Sequence, residues 1–105
     1  MNDRDLFNAL DRCYEHVSRK LKNQIDDEKL LAQELEYAQR DCRAVVEYIL
    51  CARHCTRIRN CADYDECLRN CSTGNYIVGL GYYEEIDPQL YKQLLRAMPF
   101  NPDCD

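Results

Sequence analysis

The chain has 105 residues, enough for one domain and too few for two comfortable cores. Its formal net charge is -5 and no Lys/Arg run is sustained, which argues against nucleic acid or an anionic membrane and points to other proteins as partners. The 46% of hydrophobic residues includes eight Cys and eight Tyr, so aliphatic side chains alone make a thin core and something else must hold the fold together.

The opening segment, MNDRDLFNAL, is acidic and lacks both the apolar stretch of a secretory signal and the acid-poor, Arg-rich character of a mitochondrial presequence. No Gly precedes Gly74 and no Pro precedes Pro88, so helix can run through most of the first seventy residues. From residue 3 to about 22, Leu6, Leu10, Cys13, Val17 and Leu21 form a helical stripe with Phe7 and Tyr14 beside it. His16 falls on the other side and reads as a solvated residue. Asn23 to Asp27 is a weak turn signal, and Asp27-Glu28 suits a new helix N-terminus; the alternative is one kinked helix.

From about 27 to 57 two apolar stripes share one helix: Leu31, Leu35, Ala38, Cys42, Val45 and Ile49, then Leu30, Tyr37, Ala44, Tyr48, Cys51 and Cys55. Two buried faces imply two neighbours, one a hairpin partner helix and the other the N-terminal helix or a different subunit. The richest apolar patch, Val45 to Ala52, is interrupted by Glu47, so nothing here spans a bilayer and the chain is expected to be peripheral to membranes at most.

RNCAD then turns the chain, and Asp63 with Glu66 predicts a short helix from 63 that carries Cys67 and Cys71. Gly74 can end it, while Gly79 and Gly81 predict an irregular, close-packed segment. A last helix is marked by Asp87 as cap, Pro88 as first residue and Pro99 as stop. The tail, PFNPDCD, reads as an extended arm lying on a partner. The expected architecture is all-α and single-domain: an N-terminal helix (1–24), a disulfide-stapled antiparallel hairpin (25–72), then a Gly-rich segment, short helix and extended tail (73–105).

The chemistry concentrates in the cysteines. Cys51, Cys55, Cys61, Cys67 and Cys71 form a mirrored C-x3-C-x5-C-x5-C-x3-C array. Cysteines four apart share a helix face, so two antiparallel helices bring Cys51 opposite Cys71 and Cys55 opposite Cys67. Four cysteines pair in three ways and sequence alone does not choose, but this geometry favours Cys51–Cys71 and Cys55–Cys67. Each closed loop of this size stabilises by about 3 kcal/mol. Cys13 with Cys42 is a candidate third bridge if the chain folds back near residue 25, and Cys61 and Cys104 are left as free thiols. Eight cysteines call for an oxidising compartment, and the mitochondrial intermembrane space reconciles that with the absence of an export signal. The alternatives are a cytosolic protein with buried thiols or a chain whose signal was removed.

The rival chemistry is zinc, since C-x3-C is a ligand spacing and His54 adjoins Cys55, but nothing else indicates a reducing compartment. No catalytic group is expected. His54 and Cys55 point about 100° apart on a helix, and Gly79-Leu80-Gly81 lacks the rest of any phosphate loop. Asp26, Asp27, Glu28 and Glu34 read as a solvated helix face. No metal, cofactor or small-molecule substrate is expected.

Two families are similar in motif. Cys55-x11-Cys67, with Arg57-Ile58 and Tyr64 between, followed by NYIVGLGYYEE, resembles the PDSW subunit family of the beta subcomplex of respiratory complex I over residues 30 to 85. The 28 residues between Cys13 and Cys42 also resemble that family's cysteine spacing, whereas Cys51, Cys61 and Cys71 fall outside it. The twin motifs CARHC and CLRNC resemble the small Tim chaperone family, with a shorter linker and with glycines at 74, 79 and 81 that would break its long C-terminal helix. The first resemblance implies a non-catalytic accessory subunit on the intermembrane-space side of complex I, peripheral on the inner membrane and bound to other subunits. The second implies a carrier of hydrophobic precursors.

Overall fold

The computed structural model describes residues 1–72 and 75–104, and within them the fold is all-α, built from five helices. Helix α1 (Asp3–Gln24) begins at a capping box in which Asn2 and Asp5 each accept the other's backbone N–H. Helix α2 (Glu28–Cys55) starts where the Asp27 carboxylate accepts from the N–H groups of Lys29 and Leu30, so the break near residue 25 is real. At 28 residues it runs about 42 Å and is the spine of a molecule measuring 51 × 25 × 19 Å.

Helix α3 (Cys61–Cys71) starts two residues before its expected position. Asn60, rather than Asp63, is the cap, and its side chain accepts the Asp63 N–H at 3.2 Å. Asp63 is left in the first turn, where its charge complements the helix dipole. The expected end of this helix at Gly74 lies outside the described residues. Helix α4 (Tyr76–Ile86) overturns the expectation of an irregular segment, since both remaining glycines sit inside regular helix. Gly79 is there for contact: a methyl group on it would run into the Asp41 carbonyl oxygen and come within 2.8 Å of Val45 Cγ2. Helix α5 (Pro88–Ala97) begins as the sequence indicates, with Asp87 accepting the Gln89 N–H.

Helices α1, α3 and α4 each pack on α2, and α5 docks on α4. Helix α1 lies antiparallel to α2, with Arg53 near Asp3 at one end and Arg43 near Tyr14 further along. Helices α4 and α5 complete the larger core, which Leu6, Cys13, Val17, Cys42, Val45, Ile49, Tyr83 and Leu94 fill. A second, smaller core lies between α2 and α3 and contains Cys55, Tyr64 and Cys71. The two stripes on α2 therefore have partners within the chain from Ala38 onward, whereas Leu30 and Tyr37, on the second stripe, are exposed. None of the helices is long and apolar enough to cross a membrane.

Candidate functional site: the disulfide framework

The hairpin of α2 and α3 is closed by two bridges, Cys51–Cys71 and Cys55–Cys67, with Cα separations of 5.6 and 5.8 Å. Both cysteine pairs lie one helical turn apart on facing surfaces, so the two bonds stack like adjacent rungs. Their sulfurs approach closely, with Cys55 Sγ 3.7 Å from Cys71 Sγ. Accessibility across the rungs is uneven: Cys55 and Cys71 are buried, Cys67 is half-buried and Cys51 is exposed.

A third bridge, Cys13–Cys42, ties α1 to α2 inside the larger core, where both residues have no exposed surface. The fourth corrects the sequence reading. Cys61 and Cys104 are not free but bonded to each other, with Cα atoms 5.3 Å apart. The tail is likewise not an extended arm: Asn101 is buried and its side chain accepts the Asp103 N–H in a turn that delivers Cys104 to the N-terminus of α3. The available signal was parity, since eight cysteines with three assigned bridges leave two over. What hid the pairing was the 43-residue separation, which requires α4 and α5 to bring the chain back.

The zinc alternative draws on the same atoms. The sulfurs of Cys55, Cys67 and Cys71 lie within 4.8 Å of one another. Each is engaged in a disulfide, and a disulfide sulfur has no thiolate to offer a metal. His54 is exposed on α2 and outside this group.

His16 departs from the sequence reading too. Rather than being simply solvated, its Nε2 lies 2.8 Å from Glu85 Oε2, and Lys20 donates to the same carboxylate at 2.9 Å. These contacts, the His16 hydrogen bond first, hold the Glu85 carboxyl below its usual range. Together they fasten α1 to α4. Asp26, Asp27 and Glu28 are exposed as expected, Asp27 acting as the α2 cap, while Glu34 is half-buried.

One surface was not anticipated. The outer side of α4 is polar at its end, where Glu84 and Glu85 are exposed, but apolar near its start: Ile77 and Val78 are 71% and 48% exposed, and the position of Gly81 opens to solvent. No family model, curated protein or solved structure matches this chain.

Proposed function

We propose that this protein is a non-catalytic structural subunit of a larger protein assembly in an oxidising compartment. The finer reading is an accessory subunit on the intermembrane-space side of the membrane arm of respiratory complex I, peripheral on the inner membrane. The observation that carries the coarser reading is the combination of a chain locked by four disulfides with a helix, α4, whose outer face offers Ile77 and Val78 to a neighbour. Covalent locking keeps such a surface in shape without a large core. The finer reading draws its support from the resemblance of the Cys55–Cys67 segment and the aromatic, glycine-containing α4.

The chaperone alternative fits the paired C-x3-C motifs, but α3 ends at Cys71 and α4 packs back on α2 through Gly79, so no long free helix follows the second motif. Native-gel migration of the protein from gently solubilised mitochondria, with partners identified by mass spectrometry, tests the proposal. Co-migration with complex I, reduced in a Cys55→Ser/Cys67→Ser variant, supports it. A small soluble ring of similar chains, or undiminished assembly of that variant, overturns it.

A further inference from the structure

The 3.7 Å approach of Cys55 Sγ to Cys71 Sγ is unlike the rest of the framework, because it brings two different disulfides into van der Waals contact. Disulfides exchange when a thiolate attacks one sulfur and expels the other. Attack from solvent is limited here by burial. Of the four hairpin sulfurs only those of exposed Cys51 and half-buried Cys67 belong to accessible residues; Cys55 and Cys71 are sealed, at 0% and 3% exposure.

We propose that the hairpin is a thiol–disulfide exchange site whose substrate is a protein or small-molecule dithiol, and that its two-electron-reduced form is not simply one bridge opened. One thiolate of the dithiol attacks Cys51 Sγ, forming a mixed disulfide and expelling the Cys71 thiolate. That thiolate is born against the Cys55–Cys67 bond. It attacks Cys55 Sγ, forms Cys55–Cys71, and expels Cys67, which takes a proton from water. The second thiol of the dithiol then attacks the mixed disulfide, releasing Cys51 as a thiol and leaving the dithiol oxidised. Two electrons have entered, one disulfide has been lost, and the free thiols stand at Cys51 and Cys67.

Entry from the other side converges on the same product. Attack on Cys67 expels the Cys55 thiolate, which lies 3.7 Å from Cys71 Sγ, and its attack there expels Cys51. Either route moves the thiols to the two accessible positions and keeps the remaining bond inside. Opening Cys51–Cys71 also removes the covalent tie on the last turn of α3, while Tyr64, in its first turn, stays in the small core, so that Cys71 can shift toward Cys55. The consequence is a reduced state that presents two reactive thiols at the surface, available to a further disulfide partner.

The test starts from the oxidised protein treated with one equivalent of dithiothreitol, quenched with N-ethylmaleimide and digested with trypsin. Arg53, Arg57 and Arg69 separate the four hairpin cysteines into different peptides. Among hairpin species carrying two labels, the expected major one is labelled at Cys51 and Cys67, with a Cys55–Cys71 linked peptide. Labels on Cys51 and Cys71 with Cys55–Cys67 intact would overturn the proposal. A Cys51→Ser variant provides a second measurement without reductant, since its unpaired thiol begins at Cys71. Exchange predicts that maleimide labels Cys67 instead, and label confined to Cys71 overturns it.

Discussion

The phenol of Tyr83, on α4, donates a 3.1 Å hydrogen bond to the carbonyl of Cys42, whose sulfur is bonded to Cys13. One residue of α2 thus receives α4 through its backbone and α1 through its side chain. Tyr83 is fully buried, and burial pushes its ionisation far above the ordinary tyrosine range. Tyr83→Phe should cost about 1 kcal/mol, the usual net worth of one such bond. In urea denaturation the midpoint should fall with the slope unchanged; an unaltered midpoint would show the bond to be dispensable. Because the neutral phenol is favoured in the folded state, this stability persists below the unfolded tyrosine value, about pH 10, and is lost as pH rises beyond it.

The two glycines of α4 make opposite forecasts from one substitution. At Gly79 an added methyl meets the backbone of Asp41 and the side chain of Val45, and a backbone carbonyl cannot rotate away. Overpacking of this kind costs about 1–3 kcal/mol, more than the roughly 1 kcal/mol of helix propensity that Ala returns. At Gly81 nothing lies within 4 Å, so only the propensity gain remains. Gly79→Ala should lower the melting temperature and Gly81→Ala should raise it; a shift of the same sign in both would refute the close-contact account.

Glu85→Gln removes the charge that His16 and Lys20 share. All three side chains are partly exposed, at 43%, 26% and 35%, so the expected loss at neutral pH is modest, about 0.5 kcal/mol. The Glu85 carboxyl is held below its ordinary 4.5 in the folded state, so its contribution is complete above that value and disappears as pH falls through the folded one. Wild type and variant should therefore differ in urea midpoint at neutral pH and converge in acid. A gap that stayed constant across the range would assign the effect to packing.

Legibility in the sequence followed the range of the interaction. Local signals worked: Asp27 and Asp87 mark helix starts by capping nearby N–H groups, and the four-residue spacing of Cys51 with Cys55 and of Cys67 with Cys71 positions two bridges. Signals that depend on distant chain failed. Gly79 and Gly81 read as helix breakers on propensity alone, which knows nothing of Asp41, the backbone against which only a glycine fits at position 79. His16 read as solvated because its partner, Glu85, is 69 residues away. Cys61 and Cys104 read as leftovers because the return of the tail depends on how α4 and α5 dock. Asn60 took the cap from Asp63 for a smaller reason, two suitable side chains within one turn.

The order of the bridges along the chain divides the backbone unequally. Every peptide bond between Cys13 and Cys42 lies within one covalent ring, and every one between Cys51 and Cys104 lies within the overlapping rings of the other three bridges. Apart from the two chain ends, before Cys13 and after Cys104, only the stretch of α2 from Cys42 to Cys51 belongs to neither. A protease nicking the loop at Asp26 or the turn at Arg59 would leave both fragments tethered, whereas one cut after Arg43 would split the molecule in two. That span is also the most enclosed part of the spine, with Ala44, Val45, Val46 and Ile49 all buried, so the stretch at which the two ringed halves can be parted is one the fold shields.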